Sequence, residues 1–452
     1  MLMDTDTIVA ISTPPGRGGI GIVRLSGIDA RLIAESICKL RNPLAAGRTR
    51  LAEILDPQGQ VLDEAVVTFF AAPHSYTSED VAEIACHGAP VLLNYVVRAA
   101  MERGARLAEP GEFTQRAFLS GRIDLTQAEA VNDLIAAQTL QQARVAAAQL
   151  GGAVARQIAP VKATLIHLIA ELEAGIDFAE DDLDLLPQAN IISAIDEIRR
   201  QLRALAATYS YGRIVRDGFT LAIVGRPNAG KSSLFNRLLE RERAIVTSQP
   251  GTTRDPISER LAIGGIPVEL VDTAGLRDAP EGEAETQGIL RTRERMAEAD
   301  FVVHVIDANT QTGESLHPED QATLASLQGR PHQIVLNKSD LVPTPRPERM
   351  CIYTSVYTHE GIAALKAAIL TALTGSAPTA DSALLTNLRQ HQAITEAVTA
   401  IDAADLATQN SIPHEMLLLD LHNALDCLDR LTGVTTTDDI LGLIFSTFCI
   451  GK

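Results

Sequence analysis

The stretch that most constrains what this chain can fold into is the loop 225–232, whose letters are GRPNAGKS and which directly follows the apolar run Phe219 to Val224. The pattern G-x-x-x-x-G-K-S places glycines where the backbone takes angles closed to other residues, so that consecutive N–H groups point at a polyphosphate. We expect Lys231 to reach the β- and γ-phosphates and the Ser232 hydroxyl to ligate Mg²⁺. The loop therefore predicts a strand, a phosphate-binding turn and a helix in an α/β nucleotide-binding domain.

Two further motifs are expected to surround the metal ion and the terminal phosphate. The loop 250–255, PGTTRD, contains Thr253, which we expect to complete the Mg²⁺ shell. The letters DTAG follow the predicted strand Val268 to Val271. Asp272 would hold Mg²⁺ through water, and the amide of Gly275 would sense the γ-phosphate.

A fourth motif, NKSD at 337–340, predicts which base is bound. It ends the predicted strand Gln333 to Leu336. A carboxylate at Asp340 can accept two hydrogen bonds from the N1–H and 2-amino group of guanine, which adenine cannot donate. The later loop Thr354 to Tyr357 is a poor match to the S-A-K sequence that usually supports the base, so its contacts stay open. Each short motif is a weak signal alone, but all four in this order predict a GTPase.

The predicted GTP contacts lie in these four motifs and in the residues beside them. They are Asn228, Ala229, Gly230, Lys231, Ser232, Ser233, Thr247, Ser248, Gln249, Pro250, Gly251, Thr252, Thr253, Asp272, Thr273, Ala274, Gly275, Asn337, Lys338 and Asp340.

The predicted site lacks two groups that assist GTP hydrolysis elsewhere. Leu276 stands where Ras-like proteins have a water-orienting Gln, and no arginine finger can be identified. The acidic segment 278–285 is the nearest source of a substitute for the Gln, although all but one of its acids are expected to be solvated. Asn228 could help to coordinate a monovalent cation whose charge replaces the finger, a hypothesis that equal GTPase rates in potassium and sodium would contradict.

Composition and charge exclude several classes of protein. With 39 basic and 57 acidic residues the chain has a formal charge of −18, which argues against a surface built for non-specific binding to nucleic acid or anionic membranes. Its five cysteines are far apart and form no C-x-x-C pair, so they predict neither a zinc site nor a disulfide framework and fit a reducing cytoplasm. We expect a cytoplasmic protein, because no signal peptide and no membrane-spanning apolar run is visible.

The pattern along the chain predicts a multidomain α+β and α/β protein. Residues 1–120 mix short β-type runs with helices, 121–215 and 379–452 are helical, and 216–378 alternate strands and helices as in a Ras-like, doubly wound parallel sheet. We infer that this G domain is inserted into one discontinuous helical domain, and two independent helical domains are the alternative.

Three local expectations accompany this division. The run Asp29 to Lys39 is typical of a helix, and so is the whole of Thr126 to Gly151. The segment Tyr209 to Gly212 is predicted to form the boundary before the G domain.

Several motifs outside the nucleotide site occur together in one known family. They are DTIVA at 6–10, PPGRGG at 14–19, IVRLSG at 22–27, GEFT at 111–114, RAFL at 116–119 and FCIGK at 448–452. With them, the whole chain resembles the bacterial tRNA modification GTPases of the MnmE or TrmE family. The resemblance implies an N-terminal domain that dimerises and binds a folate such as 5,10-methylenetetrahydrofolate.

The resemblance also implies roles for individual residues. The family's folate contacts correspond to Arg24, Glu83, Arg122 and Lys452, and Arg122 stands where many relatives have Lys. The family's G domains pair face to face across potassium, whose contacts correspond to Asn228, Thr247, Gln249 (through its carbonyl) and Thr252. The acid that orients water corresponds to Glu285, with Glu283 as the alternative because this segment differs in length by one residue.

The family's reaction adds an aminomethyl or carboxymethylaminomethyl group to C5 of the wobble uridine of certain tRNAs. It requires an FAD-containing partner, MnmG or GidA, with the folate as one-carbon source and glycine or ammonium as nitrogen source. Lys231 and Glu285 would serve GTP hydrolysis, whereas Cys449 resembles a residue needed for tRNA modification only. The alternative for Cys449 is a buried apolar thiol.

Two competing functions remain open at this point. A regulatory GTPase of the Era type, acting as a switch in ribosome assembly, would share the G-domain motifs but carry a basic RNA-binding module, whereas this chain is acidic. A folate-binding dimeric scaffold without chemistry of its own is the third interpretation.

Overall fold

The computed structural model describes residues 6–177, 187–239, 258–272, 299–310, 316–342, 351–375, 383–410, 412–434, 441, 444–446 and 448–451. Its contacts divide the chain into two compact units, Met1–Asn132 with Asp429–Lys452, and Asp133–Leu428. In the described part of the chain, no helix is long and apolar enough to cross a membrane. The predicted division into four segments stays a prediction.

The described part of the first unit is built on a seven-stranded sheet. Its strands are β1 (Ile8–Ile11), β2 (Gly18–Ser26), β3 (Cys38–Leu40), β4 (Arg48–Leu55), β5 (Val61–Phe70), β6 (Val81–Gly88) and β7 (Arg106–Leu107). They lie in the order β3-β4-β5-β6-β2-β1-β7, and only β1 and β7 run parallel. The helices of this unit include α1 (Ala30–Ile37), α2 (Pro90–Met101) and α3 (Glu112–Leu119).

Apolar faces of α1 and α2 form a core with this sheet. Ile33 and Val96 are buried in one cluster with Val23 and Ile84 of the strands. The helix predicted over Asp29 to Lys39 is too long, because Cys38–Leu40 leaves the helix and pairs with β4 as β3.

The C-terminal segment belongs to the first unit. Phe445 and Phe448 pack with Leu125 at the start of α4 (Leu125–Ala136). Gly451 has φ +95°, and a Cβ there would lie 2.3 Å from the carbonyl oxygen of Ile11. Gly451 therefore lies against the end of β1.

The second unit combines helices with a second sheet. Its described helices include α5 (Leu140–Leu150), α6 (Ala153–Asp177), α7 (Gln188–Ala207), α8 (Tyr209–Asp217), α9 (Lys231–Leu239), α10 (Pro318–Ser326), α11 (Ile362–Thr374), α12 (Leu388–Gln409) and most of α13 (His414–Thr432). α7 and α12, which precede and follow the sheet in sequence, pack together through Arg203 with Asp402 at 2.8 Å. This contact agrees with the discontinuous helical domain of the predicted fold class, which is confirmed.

The single helix predicted over Thr126 to Gly151 is wrong. The structure ends α4 at Ala136 and starts α5 at Leu140. Thr139 is the reason, because its hydroxyl accepts from the backbone N–H of Gln142 and the Gln142 side chain accepts from the backbone N–H of Thr139. This capping box begins a new helix.

The nucleotide-type sheet contains the phosphate loop. Its strands are β8 (Phe219–Val224), β9 (Ser258–Ile263), β10 (Ile266–Asp272), β11 (Phe301–Asp307), β12 (His332–Asn337) and β13 (Cys351–Thr354). The order is β13-β12-β11-β8-β10-β9, and all described pairs are parallel except β9 with β10. The predicted parallel sheet is therefore confirmed, and the antiparallel edge strand β9 is an addition that the sequence analysis did not predict.

The segment Tyr209 to Gly212, predicted to be a boundary, forms the first turn of α8. Gly212 is required by packing, since a Cβ there would lie 2.1 Å from the carbonyl oxygen of Leu385. The chain turns into β8 at Gly218, which has φ +77°.

Candidate functional site

The phosphate loop lies where β8 leaves the middle of the sheet. Gly225 follows the strand at φ +149°, and a Cβ there would lie 2.1 Å from the carbonyl oxygen of Val305 on β11. Gly230 has φ +93°, and a Cβ there would lie 2.3 Å from Nδ2 of Asn337. Both positions exclude a side chain, as the motif requires. α9 then starts at Lys231, so its N-terminal N–H groups face the loop.

The loop 225–232 includes the polar side chains of Lys231, Ser232 and Asn228. Lys231 Nζ donates to the carbonyl oxygens of Gly225 at 2.9 Å and Arg226 at 3.0 Å. Ser232 is exposed, and Asn228 is exposed with φ +63°. An ammonium and a hydroxyl at the start of a helix can serve a phosphate and its metal ion, which is the chemistry predicted for Lys231 and Ser232.

The NKSD motif is hydrogen-bonded to the phosphate loop. Asn337, buried at the end of β12, donates from Nδ2 to the carbonyl oxygen of Ala229 at 3.1 Å. Lys338 Nζ donates to the carbonyl oxygen of Asn228 at 2.8 Å and to Oδ2 of Asp307 at 2.6 Å. The structure thus brings two motifs together that are more than a hundred residues apart, because parallel strands end at the same edge of the sheet.

The carboxylate of Asp340 is exposed and held in place. Ser355 Oγ donates to Asp340 Oδ1 at 2.6 Å, and Thr354 Oγ1 donates to Asn337 Oδ1 at 3.2 Å. The loop 354–357 therefore supports the NKSD motif, and its contacts with the base stay a prediction. A carboxylate can accept about four hydrogen bonds, so Asp340 keeps capacity for two donors of a base.

A buried pair behind the phosphate loop was missed by sequence reasoning. His304 of β11 lies 3.4 Å, Nε2 to Oδ1, from Asp320 of α10, and both side chains are almost fully buried. Burial lowers the pKa of His304, and the charge of Asp320 opposes this shift. Next to Asp320, Glu319 accepts a hydrogen bond of 3.2 Å from Nε of Arg226 in the loop.

Part of the predicted site lies outside the described residues. These residues are Thr247, Ser248, Gln249, Pro250, Gly251, Thr252, Thr253, Thr273, Ala274, Gly275, Leu276, Glu283, Glu285 and Lys452. The backbone of Asp272 is described, and it ends β10 beside Ile223 of β8.

A second candidate site is a cavity of about 500 Å³ in the first unit. Arg24 of β2 and Glu83 of β6 are directly opposite in the antiparallel register and form an ion pair of 2.8 Å. Glu83 and Arg122 line the cavity together with Ser75 and Tyr76. Three of the four predicted folate contacts are therefore neighbours in space.

The ring of Tyr76 lies close to both arginines. The guanidinium carbons of Arg24 and Arg122 lie 5.4 and 5.5 Å from the centre of its ring, which is within cation–π range. Its hydroxyl is 2.9 Å from Oγ1 of Thr114, and Arg122 also donates to the carbonyl oxygen of Ser75. Sequence reasoning missed Tyr76, because the contacts that place it come from distant parts of the chain.

A buried charge cluster fixes the loop that contains Tyr76. Arg116 forms ion pairs with Asp6 at 2.7 Å, Glu112 at 2.9 Å and Glu79 at 3.2 Å. Glu79 also accepts a hydrogen bond of 2.6 Å from Oγ of Ser26. The wall of the cavity is thereby tied to Asp6, to β2 and to α3.

Cys449 is a free and exposed thiol. The alternative of a buried thiol is therefore wrong. The segment around it is held by the backbone, because Ser12 Oγ donates to the carbonyl oxygen of Gly451 at 3.0 Å, and Ile450 forms a bridge with Pro110.

Comparisons with known proteins agree with this architecture. Residues 7–122 match the family model described as the N-terminus of the GTP-binding protein TrmE, and residues 125–449 match the MnmE helical domain. A tRNA modification GTPase MnmE from Koribacter versatilis is 54% identical and covers 99% of both chains. The protein of that name from Aquifex aeolicus is 40% identical over 99% of this chain and 100% of its own.

One solved structure to which the chain shows a partial similarity is a variant of Era of Aquifex aeolicus bound to GDP and aluminium fluoride. It is 24% identical over 40% of this chain and 66% of its own, with a TM-score of 0.27. This likeness is too partial to support any inference about function.

A fixed carboxylate beside a phosphate loop, on a largely parallel sheet, places the chain among the P-loop GTP-binding proteins. Within that class it belongs to the MnmE family of tRNA modification GTPases, since relatives of that name match it from end to end. It is a GTPase that takes part in tRNA modification.

Proposed function

We propose that this GTPase works with an FAD-containing partner of the MnmG or GidA type, in the cytoplasm. Together they add an aminomethyl or carboxymethylaminomethyl group to C5 of the wobble uridine of certain tRNAs, with a folate as one-carbon source. The observation that supports this most is the cavity of the first unit, where Glu83 and Arg122 meet beside Arg24.

The residues of the cavity fit a reduced folate. Guanidinium groups such as those of Arg24 and Arg122 bind carboxylates in paired hydrogen bonds, and a carboxylate such as Glu83 accepts from the amino and N–H groups of a pterin. Tyr76 adds an aromatic wall to the same cavity. Lys452 is the fourth proposed contact. When bound, the folate would supply the one-carbon unit.

In the G domain, Lys231 and the loop amides would bind the phosphates, and Asp340 would select guanine. Ser232 and Thr253 would hold Mg²⁺, which neutralises developing charge on the phosphates. We propose that K⁺ is held by Asn228, Thr247, Gln249 and Thr252 between the paired G domains of a homodimer. Glu285, with Glu283 as the alternative, would orient the water in place of the Gln that Leu276 replaces.

Potassium dependence has a direct test. GTP hydrolysis by the full chain should be faster in potassium than in sodium at equal ionic strength. Equal rates would contradict the proposed cation.

Cys449 is proposed to act in uridine modification. The variant Cys449→Ser should keep GTP hydrolysis and lose modification, because the thiolate is a far better nucleophile than a hydroxyl at neutral pH. The variant Cys38→Ser is the matched control, because it removes a different, buried thiol of the first unit.

The deciding experiment is nucleoside analysis of tRNA. Cells that lack this protein should contain tRNA without the C5 group on the wobble uridine, and the wild-type gene should restore it, whereas the gene for Cys449→Ser should not. Unchanged wobble uridines in the deletion strain would overturn the proposed reaction, although they would leave GTP hydrolysis untouched.

A further inference from the structure

The first turn of α5 contacts the nucleotide sheet at the turn between β9 and β10. The hydroxyl of Thr139 donates to the carbonyl oxygen of Gly265 at 2.6 Å. Nε2 of Gln142 donates to the carbonyl oxygen of Arg216, near the end of α8, at 2.7 Å. Gly265 has φ +81°, and a Cβ there would lie 2.9 Å from Cβ of Gln141. The start of the helix and the hairpin turn are therefore in close contact.

The same two side chains also determine where α5 begins. Thr139 and Gln142 form the capping box, with hydrogen bonds of 3.2 Å from Gln142 N and 3.1 Å from Thr139 N. Arg216, whose carbonyl oxygen accepts from Gln142, donates from Nε to Oδ1 of Asp133 on α4 at 2.8 Å. A displacement of the hairpin or of the end of α8 therefore acts on the residues that separate α4 from α5.

The hairpin leads directly to the nucleotide motifs. β10 ends at Asp272 of the DTAG motif, and β9 begins at Ser258, shortly after Thr253 in sequence. The two strands pair continuously from Ile266 with Ile263 to Val271 with Ser258. Such a ribbon is roughly 20 Å long and stiff along its axis, so it can pass a displacement at Asp272 to the turn at Gly265.

Few other contacts join α5 to this side of the sheet in the described residues. A cavity of about 900 Å³ opens beside the contact and is lined by Gln138, Gln142, Arg216 and Pro267, among others. Val145 is the residue of α5 that packs against the apolar core of the sheet. The hydrogen bonds of Thr139 and Gln142 are therefore direct polar contacts between the start of α5 and this side of the sheet.

We propose that this contact, formed by Thr139, Gln142, Arg216 and Gly265, transmits the nucleotide state of the sheet to α4 and α5. Thr139 and Gln142 are positioning residues that act through the hairpin and the end of α8. Movement of the turn changes the capping hydrogen bonds, and with them the stability of the first turn of α5. This coupling does not depend on potassium, folate or the FAD-containing partner.

The variant Gln142→Glu removes the hydrogen bond to Arg216 but keeps the capping box of α5. Glutamate keeps the oxygen that accepts from Thr139 N, and it is a common residue at this capping-box position, but it lacks the N–H that binds the carbonyl oxygen of Arg216. Gln188→Glu is the matched control. Gln188 also starts a helix and donates to a carbonyl oxygen, that of Thr408 at 2.7 Å, but this bond joins two helices. Gly265→Ala perturbs the contact from the side of the hairpin.

Backbone hydrogen–deuterium exchange of the full chain tests the proposal, with GDP and with a non-hydrolysable GTP analogue as the two states. In the wild type and in Gln188→Glu, exchange in 140–150 should differ between the two nucleotides by about fivefold, the factor that one net hydrogen bond contributes. In Gln142→Glu and Gly265→Ala this difference should disappear, while amides of α9 keep theirs. A wild type without a difference in 140–150, or an unchanged difference in Gln142→Glu, would overturn the proposal.

Discussion

Replacing Ser355 with alanine should weaken guanine nucleotide binding through its effect on Asp340. The buried Ser355 hydroxyl donates to the exposed Asp340 carboxylate at 2.6 Å. Hydrogen bonds to charged groups contribute about 1.5–3 kcal/mol. Solvent weakens the bond in the free protein, because Asp340 is exposed, so we expect the lower end of this range. That end corresponds to roughly tenfold weaker binding of GDP.

Equilibrium titration of GDP into the full chain measures this loss. The variants are Ser355→Ala, Asp340→Asn and the combination of both, which form a double-mutant cycle. If Ser355 acts by fixing the carboxylate, its replacement should have little effect in the Asp340→Asn background. Ser326→Ala is the control, because its hydroxyl donates to the carbonyl oxygen of Thr323 within α10, and it should bind GDP as the wild type does.

Two results would refute this reasoning. The first is unchanged GDP affinity in Ser355→Ala. The second is additivity, in which Ser355→Ala costs as much with Asn at position 340 as with Asp340. Additivity would mean that Ser355 acts on the loop 354–357 as a whole and not on the carboxylate.

Three further predictions follow from buried contacts. Gly230→Ala should abolish measurable GDP binding in a chain with unchanged circular dichroism, because its Cβ would lie 2.3 Å from the Asn337 amide; retained binding would contradict the close approach. Burial lowers the pKa of His304 below its ordinary value of about 6.5. Below that pH the unfolded chain therefore binds more protons at His304 than the folded chain does. The free energy of unfolding should fall as the pH falls through about 6.5, by up to about 1.4 kcal/mol per pH unit. His304→Phe should flatten this slope in denaturant titrations, and an equal slope in both proteins would refute the assignment. Arg116→Gln removes one of the two arginines that pair with the buried Glu112, while Arg106 remains, and should destabilise the first unit by about 1.5–3 kcal/mol, the contribution of hydrogen bonds to charged groups, whereas a denaturation midpoint equal to that of the wild type would show that the cluster adds no stability.

The central part of the G domain could be predicted from local sequence. The apolar run Phe219 to Val224 lies between Gly218 and Gly225, and β8 has these bounds. The NKSD motif follows the run Gln333 to Leu336, and the structure ends β12 at Asn337. Signals of this kind lie within a few residues of the feature that they predict, so a single sequence is sufficient to locate the strand.

Other features depend on contacts that local sequence does not show. The letters T-x-x-Q at Thr139 and Gln142 were a visible capping-box signal, but helix-forming residues on both sides favour one continuous helix. Ser355 became interpretable only when the structure placed its hydroxyl against Asp340. The position of Tyr76 beside two arginines and Thr114 of α3 depends on contacts between segments far apart in sequence, which no local pattern encodes.

The close approach of Gly230 to Asn337 limits how this chain can be changed by evolution or by design. The phosphate loop and the guanine-selecting motif share one packed contact, in which the Asn337 amide fills the space that a side chain at 230 would need. Neither motif can be exchanged for a variant of different size while the other is kept. A chimera that receives loop 225–232 from another nucleotide-binding protein must therefore also receive that protein's counterpart of Asn337.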